Sequence, residues 1–562
     1  MGLQFKSKIP RYLFDQKDYE LIRIVNDALD SAKFTRKLYF PYFHPNGIKE
    51  MTETKGLRSA YAVAQLLNSL EIGGVDDRLN ALRSLRLEVI DTAGGPMPKN
   101  TARVLLQIMK NLVRAYGDPR RQLELAHDFR VTASGKPRIV RRQLRQHHLL
   151  EMPEAWNQIT FDDHVHDVNT KGRKSSTHLI MDAWIKGIRR LRVIHYNFIE
   201  PRFAAELFEA AKILDIDVRI GIEFSARFRD KYIQLIWVPR GFGDAQAFMC
   251  FLTDPPVMKL MEAGHQASLY QQEYVISLLK KFNVVHRLDL NRRLDIELPP
   301  VDEAEFLAFV GIGQKSKLHL SKFIHDKLMR ALQARIAALR KESAASDPAR
   351  RRDITPWADR VNGMDLEALV DEYLEQAQNP EIAFPDHPVE APDAPELLRL
   401  APREIISRLA ALHSGFRVTL NLTNLKVEEV LELLYDCQGM ITRLEIFNLK
   451  DYSAGKTACI PDISRLMQAI NEGSVIHLKQ VIRGIIDRAR ESVPPASAAQ
   501  IEKLTAILYD IDTLKSYYST KSIKARIGSD STGRSARLHG MGLAIKETLP
   551  RRAQREVDGD RT

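Results

Sequence analysis

The sequence predicts an α/β fold built mainly from parallel βα units, preceded by a helical region. Two observations carry this. From about residue 156, short apolar runs alternate with amphipathic stretches of helical length. Several of those runs end in His, Asp or Glu, not in turn residues.

The elements follow in chain order. Residues 1–155 read as helical. Between 57 and 90, Leu66, Leu67, Leu70, Leu79, Leu82 and Leu85 recur at helical spacing. A stronger helix spans Thr101–Tyr116, with Asn100 or Thr101 as its cap. Val104, Leu105, Ile108, Met109 and Leu112 form its apolar stripe, and Gly117-Asp118-Pro119 stops it. Strands follow at Ile159–Phe161, Arg192–His195, Val218–Ile222 and Tyr232–Val238, separated by helices near Ser175–Lys186 and Pro201–Leu214. Long helical stretches fill 257–282 and 302–342. Residues 343–400 break the pattern: a short helix near 365–377 leads into a Pro-rich acidic stretch that reads as a linker or insertion. Strands resume at Phe416–Leu422, Thr442–Phe447 and Ala525–Gly528, with helices at 463–471, 475–491 and 498–516. The tail from 546 is polar.

Composition bounds the function classes. The 562 residues are 44% hydrophobic and 28% charged, which excludes wholesale disorder. No apolar run reaches the roughly 18 residues of a membrane span, so no membrane association is expected. The opening MGLQFKSKIPRYLF lacks an apolar signal core, and Lys6 departs from the myristoylation pattern; a cytoplasmic protein is expected. Cys250, Cys437 and Cys459 lie too far apart for a disulfide framework or a cysteine zinc site. Lys and Arg number 83 against 72 Asp and Glu, a net +11 that fits either an anionic partner or plain solubility.

The chemistry concentrates at strand ends. In Asp163-His164-Val165-His166-Asp167, His164 and His166 stand two apart, so on a strand both imidazoles face the same way and can approach one metal ion. A polar turn with two exposed histidines is the competing reading. Glu223 closes VRIGIE and Asp530 closes KARIGSD, giving the mixed oxygen and nitrogen donors of a metal site. Taken singly, each reads as a helix cap or salt-bridge partner. Cations stand at the same edges: Lys171, Arg173 and Lys174 after the histidines, Arg227 and Arg229 after Glu223, Arg534 and Arg537 after Asp530. Together they suit a phosphate group, which arginine pairs bidentately.

In order, FDDHVHD, RVIHYN, VRIGIEFSAR, ITRLEIFN and ARIGSDST resemble the motif series of the PHP (polymerase and histidinol phosphatase) superfamily of metal-dependent phosphoesterases. The resemblance covers roughly 156–255 and 401–545. It implies a distorted (β/α)7-type barrel, split as 156–342 and 401–545 by the 343–400 insertion, with 1–155 before it and 546–562 after it. It also implies one or two divalent ions, manganese, zinc or magnesium, held by His164, His166, Glu223 and Asp530. Hydrolysis of a phosphorylated small molecule or nucleotide would use metal-activated water, with His195, Tyr196 or His539 as acid or base, and Lys171, Arg173, Arg227 and Arg534 on the phosphate. The chain departs from the family at His195-Tyr196, where the family has Asp-His. It departs again near Asn421 or Asn424 and at Thr532, where the family has His. A degenerate barrel that binds a phosphorylated ligand without turnover is therefore the alternative.

Three weaker signals complete the reading. KDYSAGKT at 450–457 lacks the first Gly of a phosphate loop. His147 and His148 sit on a basic segment that reads as a solvated face. Residues 114–145 carry nine basic against three acidic residues, a candidate nucleic-acid surface or an ordinary basic face.

Overall fold

Eight strands form one sheet: Thr160–Val165 (β1), Arg190–Tyr196 (β2), Asp217–Phe228 (β3), Lys231–Pro239 (β4), Phe416–Asn421 (β5), Ile441–Asn448 (β6), Lys524–Gly528 (β7) and Leu543–Ala544 (β8). The computed structural model describes residues 14–30, 74–170, 172, 174–311, 313–343, 366–385, 393–491, 496–532 and 540–559. The spatial order is β7-β6-β5-β4-β3-β2-β1-β8. The sheet curls until β1 meets the end of β7. At that seam Val165 and Ser531 form a parallel bridge, the Asp530 N–H donates to His164 O (2.8 Å) and the His166 N–H donates to Ser531 O (3.1 Å). Buried Asp162 pins the same seam. Its carboxylate accepts from the N–H groups of Ser529 (2.9 Å), Gly542 (2.8 Å) and His164 (3.1 Å). The result is a nearly closed barrel with helices packed outside it.

The predicted strands are present, with one change of direction. β4 is antiparallel to both β3 and β5. Phe228 pairs with Lys231, so only Arg229 and Asp230 separate the two strands. A parallel return needs a crossover of a dozen or more residues, so this link can only be a hairpin. Arg229 takes the left-handed conformation such a tight turn requires, with φ 59°.

The N-terminal helix predicted at Thr101–Tyr116 spans Pro98–Arg114. Pro98 supplies the first helical position, where its missing N–H costs nothing. Asn100 is therefore not the cap. It is buried in the first turn, donating to Met152 O (2.8 Å) and accepting from Met152 N–H (3.0 Å). The stripe Val104, Leu105, Ile108, Met109 and Leu112 is buried as expected, in a core that runs without a break from these helices into the barrel. Polar ties reinforce the junction. Arg103, fully buried, donates to Ile185 O (2.7 Å), Leu150 O (2.9 Å) and Asn100 Oδ1 (2.8 Å). Arg78 pairs with Glu206 at 2.7 Å. Between β4 and β5, helices including Pro255–Lys281 and Lys317–Ser343 gather a second core that runs from Val275 to Phe384. Leu369, Val370, Tyr373 and Leu374, from the helix expected near 365–377 within the 343–400 insertion, belong to this core. Of the predicted 57–90 stripe, Leu66, Leu67 and Leu70 lie outside the described residues. Among the described residues, no helix is long and apolar enough to cross a membrane.

Candidate metal centre

The barrel interior is layered. Ile194, Ile236 and Val238 form an apolar plug across it. Gly221 completes the plug, because a Cβ there would stand 2.7 Å from the Ile194 side chain. Above the plug, at the C-terminal ends of the parallel strands, the predicted ligands converge. Placing both imidazoles there requires a bulge in β1, which shifts register between Asp162 and Val165.

His164 Nε2 lies 3.1 Å from His166 Nε2. Asp530 Oδ1 lies 3.1 Å from His166 Nε2 and 3.8 Å from His164 Nε2, and Glu223 Oε2 is 3.8 Å from His164 Nε2. One donor atom each from His164, His166 and Glu223 falls within a 4.8 Å sphere of contacts. All four residues are buried. Asp530 holds its place with φ 52°, a conformation Asp tolerates better than most residues.

The hydrogen-bond chemistry shows what this space accepts. His166 Nδ1 donates to Ile194 O at 2.8 Å; a carbonyl only accepts, so Nδ1 carries the proton and Nε2 presents a lone pair. His164 Nδ1 donates to Glu445 Oε1 at 2.8 Å, which likewise turns its Nε2 toward the cluster. Two imidazole lone pairs and a carboxylate oxygen thus point at one another, an arrangement that a cation between them stabilises. Among the described residues, three buried carboxylates, Glu223, Glu445 and Asp530, face one ammonium, Lys450, whose Nζ is 2.7 Å from Asp530 Oδ2. The two remaining negative charges match a divalent ion. Without a metal, a proton takes the role. Burial opposes a charge on His164, but Glu445, Asp530 and Glu223 outweigh it and push the imidazole up to about 10. Burial, aided by that neighbouring cation, pushes His166 down to about 4. Burial alone would raise Asp530, yet Lys450 and His164 hold it well below the usual carboxylate range. The Asp530 carboxylate in turn holds Lys450 above its ordinary range.

No protein-family model and no curated protein matches the chain. Among solved structures, it is similar to a provisionally assigned metal-dependent phosphoesterase from Bifidobacterium adolescentis, at 12% identity and TM-score 0.34, over 72% of this chain and 96% of that one. It is also similar to an amidohydrolase from Chromobacterium violaceum, at 12% identity and TM-score 0.33, over 56% of this chain and 84% of that one. Neither likeness is strong enough to assign a family.

The other predicted residues divide. Tyr196 joins the cluster: its O–H donates to His166 Nε2 at 3.1 Å and its ring stacks on that imidazole, 4.7 Å between centroids. His195 does not join. Strand alternation turns it to the other side of β2, where it lines a separate cavity of about 100 Å³ with Asn169 and Gln314, and burial lowers its pKa. Arg227 stands beyond Glu223 in the β3–β4 hairpin, its N–H donating to Leu400 O. Lys171, Arg173, Arg534, Arg537 and His539 lie outside the described residues.

Three contributors were not proposed as site residues from the sequence, although Asn421 marked a departure from the family's His and Lys450 opens KDYSAGKT. Glu445 orients His164, Asn421 Nδ2 donates to Glu223 Oε1 at 3.3 Å, and Lys450 holds Asp530. Each sits in a segment whose form carried a signal: ITRLEIFN, LNLTNL and the loop KDYSAGKT.

A cavity of about 950 Å³ opens beside the centre, bounded there by His166, Leu449, Ser531 and Thr532. Its far wall is cationic: Lys174 comes from the predicted loop after the histidines, and the other described cations come from helices. Among the described residues, Lys110, Arg114, Lys174, Lys186 and Lys322 line it with Asp182 as the one carboxylate. Lys110 and Lys174 both contact Asp182. His147 and His148, read from the sequence as a solvated face, line it as well.

Proposed function

We propose that the chain is a divalent-metal-dependent hydrolase acting on a phosphoester of a small anionic molecule or nucleotide. The observation that carries this reading is the convergence of His164 Nε2, His166 Nε2 and Asp530 Oδ1 as facing lone-pair donors, at 3.1 Å and 3.8 Å, beside a lysine-lined cavity. His164, His166, Glu223 and Asp530 would hold the ion. A divalent ion in such a setting supplies Lewis acidity toward a phosphoryl oxygen and activation of water at neutral pH. Glu445 fixes the His164 tautomer, the outer-sphere arrangement typical of ligating histidines. The Tyr196 hydroxyl, 3.1 Å from His166 Nε2, would bind a substrate oxygen or return a proton to the leaving group. The lysines recognise the anion, and a cavity of about 950 Å³ accommodates a nucleotide-sized molecule. Manganese and zinc are the ions to try first.

The basic 114–145 segment is a weaker anchor for nucleic acid. Its arginines are engaged locally: Arg130 with Asp18 (2.8 Å), Arg141 with Glu151 (2.9 Å), Arg145 with Glu556 (3.1 Å) and Arg121 with Glu124 (2.9 Å).

The test is metal content of the purified chain, together with hydrolysis of p-nitrophenyl phosphate and its bis-ester with manganese or zinc. Binding and turnover should both vanish in a His164→Ala, His166→Ala double variant. Metal without turnover on any phosphoester favours the degenerate, ligand-binding barrel. A wild-type chain that binds no metal overturns the reading.

A further inference from the structure

Below the apolar plug, at the N-terminal ends of the parallel strands, five of the barrel strands each contribute an arginine: Arg192 from β2, Arg219 from β3, Arg417 from β5, Arg443 from β6 and Arg526 from β7. Strand periodicity places them on the inner face. Arg192, Arg219 and Arg417 precede Tyr196, Glu223 and Asn421 by four residues, and Arg443 precedes Glu445 by two. Arg526 precedes Gly528 by two, and a Cβ on Gly528 would stand 2.4 Å from the His164 side chain. At about 3.3 Å per residue, these arginine positions lie roughly 7–13 Å down the strands from the residues of the centre.

The charge in this layer is not balanced. Asp163 is the carboxylate at its centre, 3.3 Å from Arg192 and 3.7 Å from Arg526. Among the described residues, Arg219 pairs with its exposed strand neighbour Asp217, at 3.8 Å. The remaining guanidinium bonds run to adjacent strand atoms: Arg417 to Phe416 O (2.8 Å), Arg443 to Thr442 Oγ1 (3.2 Å) and Arg526 to Ala525 O (3.2 Å). Arg443 and Arg192 are 6% and 8% exposed, and the Nε groups of Arg192 and Arg526 are buried without a hydrogen-bond acceptor. Buried donors left unpaired are costly, and five guanidiniums against so little negative charge repel one another. Burial and the neighbouring Arg526, Arg417 and Arg192 bring Arg443 down to about 9.

We propose that this arginine ring binds a compact, phosphate-rich small anion, such as a condensed phosphate, at a site distinct from the metal centre. Guanidiniums converging from several strands offer the forked donor pairs that phosphate oxygens accept. A multiply charged anion matches the uncompensated positive charge better than a single phosphate does. The proposal does not depend on catalysis above the plug.

The experiment is titration calorimetry of the chelator-treated full chain with inorganic pyrophosphate, in chloride buffer of fixed ionic strength. Wild type should bind, and Arg443→Gln and Arg417→Gln should each weaken binding about ten- to a hundredfold, as expected for loss of charge-assisted hydrogen bonds. Lys186→Met, in the upper cavity, and the His164→Ala, His166→Ala variant should leave this binding unchanged. Hydrogen exchange of wild type covers the case in which an arginine variant misfolds. Pyrophosphate should protect the peptides spanning 416–419, 441–444 and 523–527. Binding lost in Lys186→Met but not in the arginine variants overturns the proposal. So does protection confined to the upper cavity, or no binding beyond that of equivalent chloride.

Discussion

Removing one ammonium from the upper cavity should make the protein more stable and less able to recognise its substrate. Lys186, on the Ser176–Lys186 helix, contacts Met541 O at 3.4 Å and has no carboxylate within ion-pair distance among the described residues. Burial, reinforced by repulsion from Lys110, lowers it from its ordinary 10.5 to about 8. The unfolded chain therefore binds this proton more tightly than the folded one does. Stability rises with pH between about 8 and 10.5, and below that window the charged lysine destabilises the fold by on the order of 2–3 kcal/mol. Lys186→Met keeps the stem and removes the charge. Denaturant unfolding at pH 7 should show the variant more stable than wild type, by up to that amount. The difference should shrink as pH rises to 10, where the wild-type lysine is mostly neutral. In parallel, if the proposed function holds, KM for the proposed anionic substrate should rise while kcat changes little. A variant less stable than wild type at pH 7, with the same dependence on pH, refutes the reasoning.

Other outcomes follow from the centre and its supports. Glu445→Gln removes the charge that orients His164 and should weaken metal affinity about ten- to a hundredfold in chelator competition, with the fold intact by circular dichroism. Tyr196→Phe leaves the four ligands in place, so metal content should hold while kcat falls. Gly528→Ala puts a Cβ 2.4 Å from the His164 side chain and 2.9 Å from Glu445 Oε1, forcing β7 away from β1; thermal unfolding should show a loss of about 1–3 kcal/mol together with weakened metal binding. Arg103→Met deletes three hydrogen bonds at the junction of the N-terminal helices and the barrel, and should destabilise by several kcal/mol without altering KM for substrate if the cavity wall is restored on refolding.

Much of the site was legible because strand periodicity is strict. His164 and His166 two apart, Glu223 at the end of one apolar run and Asp530 after another all announce a shared edge, and the structure brings them together. The same periodicity excludes His195 and admits Tyr196, since neighbours on a strand face opposite ways. That exclusion was available in the sequence, had the alternation been anchored on the apolar Ile194. Of the cationic wall, Lys174 was legible as a strand-end cation, but the helical lysines were not. Lys110 and Lys186 sit on helices, where a lysine looks like any solvated face until the packing of the N-terminal helices on the barrel turns it inward. The arginine layer was obscured for a related reason. Each arginine is an isolated charge in an apolar run, and only the assembled sheet brings the five guanidiniums near one another. The antiparallel β4 hid behind a two-residue link whose shortness was the available clue.

The centre joins the two ends of the barrel's chain path. His166 and Asp530 are 364 residues apart in sequence and 3.1 Å apart in space. A cation between them acts as a clasp on the seam where β1 meets the end of β7. During synthesis the imidazole pair emerges long before its carboxylate partner, so the complete donor set first exists when the last barrel strand has docked. Metal affinity would thus also gauge whether the ring has closed, and removing a bound ion should loosen the β1–β7 seam before any other part of the sheet.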